Sequence, residues 1–276
     1  MIALVNVYPL LYALDLSLHR NVLTDPLNHP FVGLRNFTET FGSYYFVRSL
    51  HTTLRLTGFI IAGTILYGIL VGLYLNRPGR LPACLRVAIL LPWAIPTVMA
   101  GIIWRWLFNG NYGAINAMLV GVGIIPEYVS WLGSPVLAPL TLVVTHVWKW
   151  GPLAAIMCLA TLQVIPKELY EATYIDGGGA WAAFRYITLP FLRPTLMLLL
   201  ILETIMGLVT FDLIYVLTGG GPADATMMLA WYAYAEIFRF LNLGKGAAMA
   251  FVIGALTLVL ALVYIRLLRT EEAYTI

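Results

Sequence analysis

The chain has 276 residues, of which 61% are hydrophobic and 11% are charged, and its formal net charge is +3. A soluble domain is roughly half apolar and a quarter charged, so this composition predicts a protein that lies in lipid. Continuous apolar runs exclude a membrane barrel of alternating strands, and scattered basic residues exclude a nucleic-acid surface.

The first half of the chain contains three apolar segments that are long enough to cross a bilayer. They occupy about 1–18, 51–76 and 84–107, and a short basic turn containing Pro78 separates the second from the third. A membrane helix needs about 20 apolar residues, so each segment is a predicted span. The following loop, 108–135, contains several glycines around an apolar stretch, which predicts a short interfacial helix between turns.

The second half contains three more predicted spans, at about 136–161, 191–217 and 246–268. The fold class is therefore all-α, a single polytopic membrane domain covering 1–276 with six transmembrane helices. Six spans place both termini on one side of the membrane. The excess of Lys and Arg in the loops on that side predicts that both termini are cytoplasmic.

Ionisable residues inside spans are costly in lipid and are therefore candidates for function. Lys149 in the fourth span and Glu203 in the fifth lie at matched depth, flanked in the fourth span by Trp148 and Trp150. We expect this lysine and glutamate to face the bundle interior, where they either pair or line a substrate route. The tryptophans either pack the core or stack on sugar rings. Asp212 lies nearer the outer end, and on a continuous helix it would point away from Glu203.

The loop 163–190 between the fourth and fifth spans is long, amphipathic and rich in both charge signs. Pro166 and two early glutamates predict a helix from about Pro166 to Asp176, and three glycines end it. A second short helix is predicted from Ala180 to Thr188, before Pro190. The result would be a rigid knob for a groove on another protein, or else an ordinary amphipathic connector.

The residues of this loop resemble the EAA motif of bacterial ABC importer permeases. The matching positions are Glu171, Ala172, Thr173, Gly177, Ile187, Leu189 and Pro190. Thr173 stands where the family commonly has a second alanine. Four further segments resemble the carbohydrate-uptake branch of the family: FVGLRNF at 31–37, GAIN at 113–116, WLGSP at 131–135 and IYVLTGGGP at 214–222.

This resemblance implies a type I ABC importer permease fold whose loop 163–190 transmits motion from an ATPase. It implies a second permease subunit, in a heterodimer, with two ATPase subunits at the cytoplasmic face and an extracytoplasmic solute-binding protein. The solute would be a sugar, a related polyol or glycerol phosphate. ATP and Mg would be bound by the partner subunits, so we expect no cofactor and no catalysis in this chain.

Two alternatives come from other classes of protein. A secondary transporter driven by an ion gradient commonly shows internal repeats, and an intramembrane enzyme needs a constellation such as HExxH or GxSxG. No clear repeat and neither motif occurs in the sequence. Cys84, Cys158 and the four histidines have no metal-ligand spacing, so no metal site is predicted.

Overall fold

The computed structural model describes residues 2–25 and 27–272. Within them the chain is helical, apart from turns and two isolated β-bridges. The helices in chain order are α1 (Ile2–Leu18), α2 (Arg35–Phe41), α3 (Tyr44–Leu75), α4 (Arg80–Ala88), α5 (Leu91–Ala94), α6 (Thr97–Leu107), α7 (Ala114–Gly121), α8 (Leu137–Gln163), α9 (Lys167–Ile175), α10 (Ala180–Ala183), a π-helical turn (Phe184–Thr188), α11 (Leu189–Leu208), α12 (Asp212–Leu217), α13 (Leu229–Phe238) and α14 (Leu243–Glu272). The predicted all-α class is confirmed.

Four continuous helical stretches are long and apolar enough to cross a membrane. They are Tyr44–Leu75, Leu137–Gln163, Ala180–Leu208 and Leu243–Arg266. A bent pair of helices in the predicted third span would make a fifth. The predicted first span is represented by α1, whose apolar part, Val7–Leu18, is shorter than a full span. In the described residues, therefore, five of the six predicted spans at most meet the criteria of length and composition.

The predicted third span is not one straight helix. Its segments Ala83–Ala94 and Thr97–Leu107 meet at 97°. The break lies at Ile95 and Pro96, where the backbone is extended. Proline removes a backbone donor and restricts the residue before it to extended conformations, so two half-helices replace a single rod.

The predicted fifth span, 191–217, is also interrupted. α11 ends at Leu208, and α12 begins only at Asp212. At its other end, this span begins before the predicted boundary, because the helix runs without a stop from Ala180 through Pro190 to Leu208. Pro190 directly follows the π-helical turn, a local change in the hydrogen-bond pattern of this continuous helix that accompanies its missing N–H.

Small residues allow α3 to pack closely against α8 and α11. Gly68 lies so near Ala154 that an added Cβ would be 2.9 Å from the alanine Cβ, and Gly72 faces Cys158 in the same way. In membranes, close backbone approach replaces the hydrophobic force that joins soluble helices. These contacts join α3 to α8, and Gly207 of α11 lies equally close to Thr57 of α3, so α3 holds both helices that carry the candidate pathway residues.

The loop 108–135 contains the predicted short helix, α7, and its shape depends on one buried amide. The Asn116 side chain accepts hydrogen bonds from Trp131 Nε1 at 2.8 Å and from the backbone N–H of Val129 at 3.2 Å. It also donates to the carbonyl of Val129 at 2.9 Å. The two sequence segments GAIN and WLGSP are therefore joined in one compact loop.

At the same end of the molecule, α2 is tied to the beginning of α14 by charged side chains. Glu39 accepts from Lys245 Nζ at 2.9 Å and from Arg35 Nε at 2.7 Å. The hydrogen bond from Lys245, followed by that from Arg35, lowers the pKa of the Glu39 carboxyl below its usual value.

Candidate functional site

The loop 163–190, which we call the EAA loop, begins with an exposed helix that ends in a glycine-dependent cap. Helix α9 follows Pro166 and ends at Ile175, as predicted. The N–H of Gly177 donates to Tyr174 O at 3.1 Å, and that of Gly178 donates to Thr173 O at 2.8 Å. These two bonds are those of a Schellman cap, which needs a left-handed residue, and Gly177 has φ +81°.

The exposed side of the EAA loop combines a carboxylate with several apolar side chains. Glu171 and Ala172 are both exposed on α9. Apolar side chains exposed beside them include Tyr174, Ile175 at 85% exposure, Trp181 at 74% and Tyr186 at 76%. Several large apolar side chains exposed on one loop are typical of a protein docking surface.

The other motif residues anchor the loop to the bundle. Ile187 is buried in a cluster with Cys158, Leu162 and Leu192, while Leu189 and Pro190 are half-buried where α11 begins. The seven motif positions thus divide into an exposed part near α9 and a buried part at the start of α11.

Thr173, the position that departs from the motif, is accommodated by local contacts. Its hydroxyl donates to Leu169 O at 3.0 Å, and its Cγ2 lies where a Cβ on Gly178 would come within 2.7 Å. The extra methyl is tolerated because residue 178 is glycine.

Among the intramembrane candidates, Lys149 does not pair with Glu203. Its Nζ donates to the carbonyls of Trp93 at 3.2 Å and Ile95 at 2.5 Å. These carbonyls belong to the broken third span, where the bend removes their helical partners. The predicted alternative of a direct Lys149–Glu203 pair is therefore wrong, because the break supplies carbonyl acceptors nearer to the lysine.

Glu203 instead pairs with His146. His146 Nε2 lies 3.0 Å from Glu203 Oε2, and the two residues are 1% and 4% exposed. The other ring nitrogen, Nδ1, is buried without a hydrogen-bond partner in the described part of the chain. His146 had no role in the sequence prediction because it belongs to no motif. The sequence did place His146 one turn before Lys149 on the same predicted span, which was enough to suggest that the two share a face of α8.

The two candidate tryptophans have different surroundings. Trp150 lies with its ring centroid 6.3 Å from that of His146 and 5.3 Å from Lys149 Nζ. Trp148 packs edge-to-face on Trp104, with centroids 5.5 Å apart. Trp148 therefore fills the interface with α6, whereas Trp150 lies beside the buried pair.

A cavity of about 170 Å³ opens beside the His146–Glu203 pair. Its wall contains the first residue of α6, the ring of Trp150 and the non-helical residues between α11 and α12. The lining residues are Thr97, His146, Trp150, Met206, Val209, Thr210, Phe211, Asp212 and Leu213. The breaks in two spans thus meet at one cavity, an arrangement that transporters use to form a substrate site.

Asp212 lines this cavity, whereas Glu203 does not and instead contacts His146, which does. The prediction that the two carboxylates point apart assumed a continuous helix, and the break at 209–211 removes that premise. Arg105, on α6, donates to Val216 O at 3.2 Å.

Comparison with known proteins gives the chain a family. The model of the binding-protein-dependent transport system inner membrane component matches residues 64–270. The sulfoquinovosyl glycerol transport system permease protein SmoG of Agrobacterium fabrum is 37% identical over 99% of this chain and 88% of its own length. The trehalose/maltose transport system permease protein MalF of Thermococcus litoralis is 38% identical over 94% of this chain and 87% of its own length.

Solved structures share the fold. A chain in the crystal structure of a bacterial ABC transporter involved in the import of the acidic polysaccharide alginate superposes with a TM-score of 0.82 at 23% identity. The coverage is 97% of this chain and 91% of that chain. A second structure, of the alginate transporter in complex with an alginate pentasaccharide-bound periplasmic protein, gives 0.80 at 22% identity.

Proposed function

Because this chain belongs to the family of binding-protein-dependent transport system inner membrane components, we propose that it forms one half of the pore of a sugar-importing ABC transporter. The observation that carries the proposal is the convergence of two broken spans on one cavity in the bundle, with a docking loop on the same helices α8 and α11. The chain would bind and release the solute in this cavity while partner ATPases supply the energy.

The cavity chemistry supports a neutral saccharide. Trp150 and Phe211 offer aromatic faces, which suit the apolar faces of sugar rings, and Thr97 offers a hydroxyl. Asp212 adds a carboxylate that accepts hydrogen bonds from sugar hydroxyls. Neither Lys nor Arg is among the lining residues, so a carboxylated or sulfonated sugar would meet the charge of Asp212 without a cation to offset it. We therefore place the solute with the trehalose and maltose that name one relative, rather than with an acidic sugar.

The EAA loop is the proposed contact with the ATPase. Its exposed Ile175 and Trp181 would fill an apolar cleft, and Glu171 would meet a basic group at the rim. By this assignment the EAA loop is cytoplasmic and the loop containing Pro222 is extracytoplasmic, with both termini on the cytoplasmic side. Two ATPase subunits would serve the two permease chains, and ATP and Mg would bind there.

The surface of α1 supports a second permease subunit, which would form a heterodimer with this chain. This helix leaves Tyr8, Leu10 and Leu11 more than half exposed, and its packing in the chain is chiefly against α14. The second subunit would complete the pore. An extracytoplasmic binding protein would deliver the solute to the face that holds α2 and α7.

The test is reconstituted uptake in proteoliposomes. Transport of a neutral disaccharide should require ATP, the ATPase subunits, the second permease chain and the binding protein. Uptake that runs on an ion gradient with this chain alone would support the secondary-transporter alternative instead. Cysteine labelling completes the test, since a probe should reach Gly178 from inside and Pro222 from outside; the reverse pattern would overturn the orientation.

A further inference from the structure

Three basic side chains form a stripe on the exposed face of α3 near its first residue. Arg48, His51 and Arg55 recur every three or four positions, so they share one face of the helix. Arg48 donates to the hydroxyl of Tyr44 at 2.9 Å and to the carbonyl of Ala223 at 2.5 Å. In the described part of the chain no carboxylate lies within ion-pair distance of either guanidinium.

The position of Arg55 along α3 places it at the level of lipid phosphates. No Lys, Arg, Asp or Glu occurs from Leu56 to Asn76. At about 1.5 Å per residue this stretch covers about 30 Å, which is the thickness of the hydrocarbon core. Arg55 is therefore the first residue outside the hydrocarbon at this end of α3, and Arg48 lies two turns further out.

Two cavities meet at this arginine. The first, of about 490 Å³, is bordered by Arg48, His51 and Arg55. The second, of about 660 Å³, is apolar and runs between Phe59 and Leu66 of α3 and the facing residues Leu140 and Val143 of α8. Both cavities include Arg55 and Pro135, so together they make one groove with a basic head and an apolar tail. We call it the α3 groove.

We propose that the α3 groove binds one anionic phospholipid, with the phosphate at Arg48 and Arg55 and an acyl chain between Phe59 and Leu140. This site lies outside the proposed substrate cavity and is independent of the transported solute. From Arg55 to Leu66 the groove extends for about 16 Å, which is half the hydrocarbon thickness and fits one leaflet.

Charge balance selects an anionic lipid over a zwitterionic one. Two guanidinium groups and one carboxylate, that of Asp224, border the polar cavity. With His51 neutral, their net charge is +1, and the single negative charge on the phosphate group of phosphatidylglycerol neutralises it. A phosphatidylcholine headgroup carries its own ammonium and would leave that charge unbalanced.

The experiment is native mass spectrometry of the purified full chain with dioleoyl phosphatidylglycerol or dioleoyl phosphatidylcholine. We expect one retained phosphatidylglycerol per chain and at least about ten-fold less retention after the double change Arg48→Gln and Arg55→Gln, since each removes an ionic hydrogen bond. Ala62→Trp should reduce retention similarly by filling the apolar tail while both arginines remain. Arg239→Gln removes one arginine charge outside the groove and should leave retention unaltered, whereas Arg48→Gln alone, which removes one charge inside it, should lower retention.

Equal retention of the two lipids, or unchanged retention in the double variant, would overturn the proposal. Competition by glycerol 1-phosphate as strong as by the lipid would also overturn it, because the site would then be one for small anions. A photo-crosslinking residue in place of Phe59 tests the groove in cell membranes. An adduct with the mass of a phospholipid supports the proposal, and an adduct with a polypeptide shows that a protein helix occupies the groove.

Discussion

The phenol of Tyr170 lies 3.0 Å from the hydroxyl of Thr188, and this hydrogen bond joins α9 to the π-helical turn that leads into α11. It is a direct side-chain link between the exposed arm of the EAA loop and the span that carries Glu203. Force received by α9 can therefore reach α11 through this contact as well as through the chain.

Removing this link should loosen the EAA loop. We expect Tyr170→Phe to lower uptake about two- to ten-fold, because one hydrogen bond contributes about 0.5–1.5 kcal/mol to holding α9 in place. Membrane abundance should stay normal, and hydrogen exchange in α9 should rise. Tyr174→Phe is the matched control because the Tyr174 side chain makes no hydrogen bond within residues 2–25 and 27–272. Equal exchange rates in the two variants would show that the Tyr170 contact does not hold the loop.

The cap of α9 depends on Gly177. Gly177→Val should uncouple transport, because a β-branched residue is strongly disfavoured at φ +81°. A Cβ there meets no atom within 4 Å, so the effect would be conformational and not a steric clash inside this chain. Gly179→Ala is the control, since that residue has a negative φ and open space. Uptake, membrane abundance and ATPase co-purification should be measured together, and normal uptake in the valine variant would reduce the loop to a connector.

Glu171 tests the docking surface separately from the cap. Its carboxylate is exposed and forms no ion pair with any residue of the described chain. Glu171→Lys should therefore leave insertion intact while weakening ATPase co-purification. Glu168→Lys introduces the same charge one turn earlier on α9 and serves as the control. Equal losses in the two variants would indicate a general charge effect and contradict a specific contact.

His146 and Glu203 form a buried pair, so we expect the stability losses of the two single changes not to add in the double variant. His146→Leu leaves a buried carboxylate without a partner and should destabilise the chain by about 3–5 kcal/mol, with a lower thermal midpoint and reduced abundance. The double change with Glu203→Met removes both polar groups and should recover most of that loss. A double variant no more stable than the worse single variant would show that the two side chains are not energetically coupled.

Asp212 provides the charge on the cavity wall. We expect Asp212→Asn to lower the rate of uptake of a neutral sugar by at least about ten-fold at saturating loaded binding protein, because charge-assisted hydrogen bonds to sugar hydroxyls are lost. Thermal stability should be unaffected, since Asp212 is exposed at the beginning of α12. Glu127→Gln, in the loop 108–135, is the charge-matched control. An unchanged rate would remove Asp212 from the substrate pathway.

The contact of Glu39 with Lys245 predicts a loss of stability in acid. The pKa of Glu39 is lowered in the folded chain, first by Lys245 and then by Arg35. The contribution of Glu39 to the stability of the fold is therefore complete above the pKa of the unfolded chain. It is lost as the pH falls through the lower pKa of the folded chain. The protection factor for hydrogen exchange in α2, which corrects for the intrinsic pH dependence of exchange, should fall below about pH 4.5, the ordinary pKa of a glutamate. Lys245→Gln should weaken this dependence, and identical pH profiles would contradict it.

The sequence was informative where length and local chemistry decide the structure. The four continuous spans follow from apolar length, and α9 with its cap follows from Pro166 and the glycines. The interruptions at 95–96 and 209–211 were not predicted, because apolar runs continue across both and hydropathy does not register a bend. The same limit explains the error at Lys149: its partners are backbone carbonyls that become available only where a helix breaks. Glu203 was matched with that lysine only because the two lie at the same depth. Which face of α8 points towards Glu203 is a separate matter, and that face carries His146.

The break at Pro96 divides the third span into two helices that pack against different neighbours. α5 packs on α8 and is fastened to it by Lys149, while α6 packs on α12, where Gly101 lies against Val216. A swivel at Ile95 would therefore carry Thr97 towards or away from the ring of His146 and change the width of the cavity. Pro96 has no N–H to lose, and the ammonium already satisfies the carbonyls on the α5 side. In the described chain no backbone hydrogen bond joins α5 to α6, so a turn at this break would cost none.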